Sequence, residues 1–574
     1  MAPGEPARAD APDGGRAPAM DAAAALLAQV NALGVEHLIV SPGSRSQALA
    51  LVAADLEARG RVRVHVRIDE RVAGFTALGI ARENRVPAAV ICTSGTAVAN
   101  LLPAVLEAHH AGVPLLLLTA DRPPELRGVG ANQATHQPGM FAPYVRFEAD
   151  LPVPAELDSD GTGDAITEVR RVTRLAVAAS LGADGRTAGP VHLNLPYREP
   201  LAGTLPPWID DDLAAPASAP PAPAPTPVPR GPRTIVVAGA DAGPDAEALA
   251  HDGGWPLVAE IVSGARFGRH LVHGYRTLLA EPALGGRVER AIVYGHPTLS
   301  REIVALLSRA DVEILAVRGP GELLNLNGAT RAVDAVTVSP GDADRAWLGA
   351  WMRASQAAST DLSPAAPDAE GLSSAEPQRR LPAIAAELQV IRAPLDRTAL
   401  VDAVWRATWP HDRLMFASSR LVRVADAVLG GKRVPVHANR GLAGIDGTLA
   451  TATGVAIASQ TGGAPGVTRL LVGDLAFLHD VGAMLLPPGE DEPRIQVIVG
   501  NDGGGTIFDG LEVAAVASAE AMDRVLYTPH TARIEQLAAA YGWEHRRVTT
   551  RAALDQALTS PVGGRQIIEV PLER

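Results

Sequence analysis

Short apolar runs that close on Gly, Ser, Thr or Asp, each followed by a segment of helical spacing, recur along most of this chain. Near the start, His37-Leu-Ile-Val40 leads into Ser41-Pro-Gly-Ser-Arg45, Ala88-Ala-Val-Ile91 into Thr93-Ser-Gly-Thr96, and Pro114-Leu-Leu-Leu-Leu118 into Thr119-Ala-Asp-Arg122. Uninterrupted apolar runs of that length predict strands covered on both faces, as in parallel sheets. The pattern returns in Thr234-Ile-Val-Val237, Ala291-Ile-Val-Tyr294 and Glu313-Ile-Leu-Ala316, and again in Leu414-Met-Phe416, Leu470-Leu-Val472 and Ile495-Gln-Val-Ile-Val499. The alternation predicts an α/β protein of three doubly wound parallel-sheet domains. In such folds ligands bind beyond the carboxyl ends of the strands.

Two stretches interrupt the pattern: residues 205–232, which include Pro220-Pro-Ala-Pro-Ala-Pro-Thr-Pro-Val-Pro229, and residues 354–384. Both read as interdomain linkers. The first 20 residues are rich in Ala, Pro, Gly and Asp and lack the apolar segment of a signal peptide, which predicts a disordered tail. The expected organisation is therefore a tail at 1–20, a first domain at 21–204, a central domain at 233–353 and a last domain at 385–574.

Composition narrows the function. At 574 residues the chain exceeds what one core supports. Apolar residues make up 47% and charged residues 20%, and no apolar run approaches the length of a membrane span. A net charge of -13 argues against a general nucleic-acid binder, so an anionic substrate must meet local arginines. The single cysteine, Cys92, excludes an internal disulfide and a cysteine-based zinc site, which fits a reducing cytoplasm.

Two patches about four hundred residues apart carry the candidate chemistry. The alternating run Val62-Arg-Val-His-Val-Arg-Ile68 delivers Asp69-Glu70-Arg71 to the start of a helical segment, placing Glu70 at a strand-to-helix turn. Thiamine diphosphate needs one carboxylate against its aminopyrimidine ring, because that contact favours the imino tautomer that takes the thiazolium proton. Alone, such a cluster is more often a favourable helix-dipole contact or a surface ion pair. The second patch is Val472-Gly473-Asp474-Leu475 with Gly500-Asn501-Asp-Gly503-Gly504, at the ends of two successive strands. Magnesium takes about six hard oxygens, several of them from phosphate and water. Asp474, the Asn501 amide oxygen and a main-chain carbonyl near Gly503 would supply the rest, and the glycines let backbone come close to the cofactor. The other reading is a Gly-rich loop that binds another nucleotide or no ligand, and spacing alone does not separate the two.

Ser41-Pro-Gly-Ser-Arg-Ser46, Ile68-Asp-Glu-Arg71, Thr93-Ser-Gly-Thr-Ala-Val-Ala-Asn100, Thr119-Ala-Asp-Arg-Pro123, Gly130-Ala-Asn-Gln133, Asn439-Arg-Gly441 and Gly444-Ile-Asp-Gly447 together resemble the MenD family of thiamine diphosphate-dependent enzymes in menaquinone biosynthesis. The likeness runs from about residue 22 into the last domain. It implies a pyrimidine-binding first domain, a diphosphate- and metal-binding last domain, and a homodimer or dimer of dimers with sites between chains. By this resemblance Glu70 activates the pyrimidine, and Asp474, Asn501 and the Gly503 carbonyl hold Mg2+ or Mn2+. Ser419, Gly444, Ile445, Asp446, Gly473, Leu475, Gly504 and Ile507 fall with the cofactor. Ser44, Arg45, Arg122, Gln133, Arg423 and Arg440 fall at substrate positions, with Phe508 beside Ile507 as apolar wall. Ser418 stands where many relatives carry Asn, and Arg301 where some carry Lys.

The family's substrates are 2-oxoglutarate and isochorismate, both dicarboxylates, and guanidinium groups pair with carboxylates bidentately. The resemblance implies decarboxylation of 2-oxoglutarate and 1,4-addition of the succinyl carbanion equivalent to isochorismate. The rivals are another thiamine diphosphate 2-oxoacid decarboxylase or carboligase, such as an acetohydroxyacid synthase, and an inert nucleotide-binding regulator. His109-His110 reads as a capping or surface pair late in a helical run over 97–110, and Cys92 as a small core residue.

Overall fold

The computed structural model describes residues 15–154, 164–183, 185–207, 213, 223–363 and 366–574. The chain divides into two compact units, Met1–Pro220 and Pro221–Arg574. In the first unit six parallel strands form one sheet in the order Arg63–Val66, His37–Val40, Ala88–Cys92, Leu115–Asp121, Pro190–Pro196, Glu148–Asp150. Every residue of Ala88–Cys92, Leu115–Asp121 and Pro190–Pro196 is buried, which is why the first two open on apolar runs without alternation, while the third buries His192 and Asn194 by hydrogen-bonding them. The edge strand Arg63–Val66 buries only His65, and it alternates accordingly.

The second unit holds two main sheets, again parallel. One runs Arg331–Val333, Glu313–Val317, Arg290–Tyr294, Thr234–Ala238, Leu257–Ala259. The other runs Val436–His437, Arg413–Phe416, Thr468–Gly473, Ile495–Asn501, Arg565–Pro571, Glu544–Arg547. These sheets are not independent bodies. One apolar cluster takes Ala240, Ile261, Val262 and Leu299 from around the first together with Leu400, Val404, Leu421, Val422 and Ala425 from around the second.

A polar clamp joins the same two layers. The helix Arg420–Val428 buries Leu421, Val422, Ala425 and Asp426 on one face, so an acid lies in an apolar stripe. Asp426 Oδ1 accepts the Ile261 N–H at 2.8 Å. Its Oδ2 accepts the Tyr275 hydroxyl at 2.7 Å and Arg276 Nη2 at 2.7 Å. Arg266 lies 3.6 Å from Asp426 and also donates to the Leu429 carbonyl, capping the chain as it leaves the helix.

Several expectations about boundaries need correction. The helix Pro18–Ala32 begins inside the stretch read as a tail and buries Ala19 and Met20; residues 1–14 lie outside the described residues. The stretch 354–384 is largely helical: Arg345–Ala358 enters it, Ala369–Ser373 lies within it, and Pro377–Arg392 crosses its end. Asp344 and Asp368 cap the first two, and the alanines of this stretch are themselves good helix formers that outweigh its Ser and Pro. In the Pro-rich stretch 205–232, Thr226–Val228 pairs with Val336–Val338; 208–212 and 214–222 lie outside the described residues. The helical run over 97–110 is two helices, Thr96–Ala99 and Leu102–Ala111, because Pro103 starts a new helix. No helix among the described residues is long and apolar enough to cross a membrane.

Candidate active site

In the first unit the helix Glu70–Asn84 follows the edge strand directly. Asp69 is its cap: Oδ1 accepts the N–H groups of Arg71 at 2.9 Å and Val72 at 3.4 Å. That contact leaves Glu70 with no capping duty. Half-buried in the first turn, its carboxylate has no hydrogen bond or ion pair among the described residues. Cys92 is fully buried, and burial, followed by the charge of Glu70, raises its thiol well above the ordinary range. It is a core residue and a poor nucleophile.

Loops at the carboxyl ends of adjacent strands gather the other first-unit residues. A Cβ at Gly43 would lie 2.3 Å from Thr93 Cβ, so glycine is what lets the loop after His37–Val40 seat against the loop after Ala88–Cys92. Arg45 is buried, donates to the Tyr197 carbonyl at 3.2 Å, and is lowered first by burial and then by the charge of Arg122. Arg122 Nε and Nη2 both donate to the Asn132 carbonyl, at 3.0 and 2.9 Å. Gln133 adopts φ 55°, its Nε2 donating to Ser94 O at 3.0 Å and its carbonyl accepting Ser94 Oγ at 2.9 Å. Ser44 is exposed, and its carbonyl accepts the Gln47 side chain at 2.9 Å. His109 lies elsewhere: its Nδ1 is 2.6 Å from the Tyr144 carbonyl and its ring is buried, so a surface role is excluded.

In the second unit the register pairs Gly473 with Gly500, which sets Asp474 beside Asn501. Asp474 is 2% exposed at the start of the helix Asp474–His479. Its Oδ1 accepts the Leu475 N–H at 2.7 Å; its Oδ2 accepts the Gly504 N–H at 2.8 Å and lies 3.1 Å from His530 Nε2. Burial, then the charge of Asp502, raises the Asp474 carboxyl, with His530 opposing. Asn501 donates its amide to Glu569 at 2.8 Å, so its oxygen is turned back to the loop, where it accepts the Gly503 N–H at 3.2 Å. Gly504 has φ 148°, and a Cβ there would lie 2.4 Å from the Tyr527 carbonyl. The Gly503 carbonyl accepts Arg574 Nη2 at 3.0 Å.

Ser419 begins the helix Arg420–Val428 next to this loop, its Cβ 3.6 Å from where a Cβ on Gly473 would lie. Its Oγ is buried and has no partner among the described residues, an arrangement that suits an incoming anion at two neighbouring helix starts. The turn Gly444-Ile-Asp-Gly447 precedes the helix Thr448–Ser459, and Asp446 lies 3.9 Å from His479 at the far end of the Asp474 helix. Ile445 is exposed, while Ile507 and Phe508 are half-buried in the short helix Thr506–Gly510.

The remaining cations share one neighbourhood. Arg423 donates to the Ser419 carbonyl at 3.1 Å and is lowered first by burial, then by Arg440, Arg276 and Arg301. Arg440 is 5% exposed and reaches Ser418 Oγ at 3.4 Å, so this serine meets the arginine directly. Arg301 is exposed and 3.5 Å from the equally open Glu512, a pair that contributes little by itself. Sequence reading missed Glu260, Arg276, Thr298, Asp426, His530 and Arg574 around this region. Only Asp426 left a signal, an acid on an apolar helix face.

Residues 20–140 match the family model for the thiamine pyrophosphate enzyme, N-terminal TPP binding domain. The crystal structure of benzoylformate decarboxylase from Polynucleobacter necessarius superposes with a TM-score of 0.66 over 96% of this chain and 98% of that one, at 16% identity, a likeness of fold. That domain match and the relatives that follow make the chain a thiamine diphosphate-dependent enzyme, in which the Glu70 carboxylate and the Ser419 hydroxyl have no partner among the described residues. Among curated relatives, 2-succinyl-5-enolpyruvyl-6-hydroxy-3-cyclohexene-1-carboxylate synthases from Leifsonia xyli subsp. xyli and Clavibacter michiganensis subsp. michiganensis are 54% and 51% identical, each over 97% of this chain and 97% of the relative. That from Kineococcus radiotolerans is 44% identical over 94% of both. The chain belongs to the 2-succinyl-5-enolpyruvyl-6-hydroxy-3-cyclohexene-1-carboxylate synthase family.

Proposed function

We propose that this chain decarboxylates 2-oxoglutarate and adds the succinyl unit to isochorismate, forming 2-succinyl-5-enolpyruvyl-6-hydroxy-3-cyclohexene-1-carboxylate for menaquinone biosynthesis. It works in the cytoplasm as a homodimer or dimer of dimers that shares its sites between chains. The observation that carries the reading is the pairing of family membership with a Glu70 carboxylate that has no hydrogen bond or ion pair among the described residues.

Bound thiamine diphosphate supplies the electron sink for loss of carbon dioxide. Glu70 holds a proton at the pyrimidine ring nitrogen. Asp474, Asn501 and the Gly503 carbonyl would hold a divalent cation, magnesium or manganese, which would neutralise the charge of the diphosphate. Here His530 and the Gly504 N–H steady Asp474 while Glu569 orients Asn501, as outer partners of metal ligands commonly do. Ser419 Oγ, with the helix start at Asp474, meets the diphosphate. Arg45 and Arg122 in the first unit and Arg423, Arg440 and Arg301 in the second counter the substrate carboxylates. Ile507 and Phe508 keep water from the reacting carbon.

The decisive assay follows isochorismate absorbance with pure protein, thiamine diphosphate, magnesium and 2-oxoglutarate. Protein-dependent loss of absorbance that requires 2-oxoglutarate is expected; its absence would move the assignment to another thiamine diphosphate reaction. Asp474→Ala should weaken cofactor binding in the presence of magnesium by about 100-fold, the upper range for even outer-shell metal partners. Calorimetry showing unchanged affinity would remove Asp474 from the metal site.

A further inference from the structure

The resemblance that points to Arg440 belongs to the last domain, yet the structure holds its guanidinium from the central one. Arg440 Nε donates to Thr298 Oγ1 at 3.1 Å, and Nη2 donates to the same oxygen at 3.0 Å and to the Thr298 carbonyl at 2.9 Å. Thr298 lies in the loop between the strand Arg290–Tyr294 and the helix Arg301–Leu307. That loop turns three consecutive N–H groups toward one carboxylate. Leu299 and Ser300 donate to Glu260 Oε1 at 2.8 and 3.1 Å, and Thr298 donates to Oε2 at 3.3 Å.

Glu260 follows the strand Leu257–Ala259 and is 0% exposed. A buried acid on a strand end is costly unless its oxygens are engaged, and here backbone engages both. Burial pushes its carboxyl up to about 8, the charge of Asp426 adding to this and the Leu299 N–H and Arg440 opposing. Two N–H donors on Oε1 and one on Oε2 make acceptor geometry what it offers the loop. No motif, and no assigned role, accounts for an acid at this place.

We propose that Glu260 is a positioning residue: it fixes the 298–300 backbone so that Thr298 aims Arg440 at a substrate carboxylate. The proposal rests on the reading of Arg440 as a substrate contact. Without the clamp, the loop relaxes and Arg440 loses its orientation. Misplacement of a binding group by 1 Å can cost ~10²-fold, so a partial loss of order roughly tenfold is expected.

The test measures KM for 2-oxoglutarate and for isochorismate, each with the other saturating, in Arg440→Ala, Glu260→Met, Glu260→Gln and the Arg440→Ala/Glu260→Met double variant. Methionine keeps the volume of Glu260 and removes both acceptors; glutamine keeps one. Arg440→Ala should raise KM for one of the two substrates. Glu260→Met should raise KM for that same substrate roughly tenfold, with kcat falling less, and Glu260→Gln should restore most of the difference. The double variant should be no worse than Arg440→Ala alone. If Glu260→Met does not yield folded protein, Thr298→Val, which removes one acceptor of Arg440, should raise the same KM. A normal KM in Glu260→Met, or in Thr298→Val where it stands in, alongside a raised KM in Arg440→Ala would overturn the proposal and leave the substrate reading intact. Equal rises for both substrates would reduce Glu260 to a structural role. Normal KM values in Arg440→Ala would remove the substrate reading, and the proposal with it.

Discussion

Glu70→Gln should turn over roughly 10²- to 10⁴-fold more slowly than the wild-type chain at saturating cofactor, the range a positioned acid or base contributes. The substitution keeps the size of the side chain and removes its ability to carry a negative charge or release a proton. It leaves the helix start undisturbed, because Asp69 supplies the cap and Glu70 has no bond of its own among the described residues. The melting temperature and the calorimetric affinity for thiamine diphosphate should therefore stay close to wild type while isochorismate consumption collapses. A variant with near-normal turnover would remove Glu70 from the chemistry. Parallel loss of cofactor affinity and turnover would make it a binding group only.

The second large effect concerns stability. Asp426→Ala should cost about 3–5 kcal/mol, the penalty of removing one partner from a buried ion cluster. It would strip Arg276 and Arg266 of a counter-charge inside the protein and orphan the Ile261 N–H and the Tyr275 hydroxyl. The control is Asp334→Ala, which breaks the Arg318 pair, 58% exposed on both sides, and should cost less than about 1 kcal/mol. Differential scanning calorimetry decides between them. Asp426→Ala should melt roughly 3–6 °C lower than the control, and indistinguishable melting temperatures would mean that the clamp contributes nothing. Because Asp426 lies on the helix that starts at Ser419 and carries Arg423, loosening it should also weaken the binding of anionic ligands.

The sheets were legible in the chain because strands buried on both faces are mostly apolar; Ala88–Cys92, Leu115–Asp121 and Ile495–Asn501 announce themselves in this way. The strand ends were legible too, since Asp69-Glu70 and Gly473-Asp474 sit where apolar character stops. The helices of 354–384 were not. Pro377–Arg392 buries only Ala383, so it lacks the apolar stripe that periodicity needs, and its Ala- and Pro-rich surroundings read as spacer. Edge strands such as Val436–His437 were too short to stand out. Around the site, Glu260, Thr298 and His530 are single residues outside any motif, and their importance comes from partners 38 to 142 positions away in the chain. Long-range partnership of that kind leaves no local spacing to read.

The apolar cluster that runs from Ala240, Ile261 and Leu299 to Leu421 and Ala425 bears on how this enzyme can be re-engineered. A chimaera that grafts another family member's central layer onto this last layer must match both sides of that shared packing, or it will open voids in a region close-packed like an organic crystal. Modular exchange should therefore fail when 221–574 is cut between its sheets, whereas moving that piece whole keeps the shared packing intact.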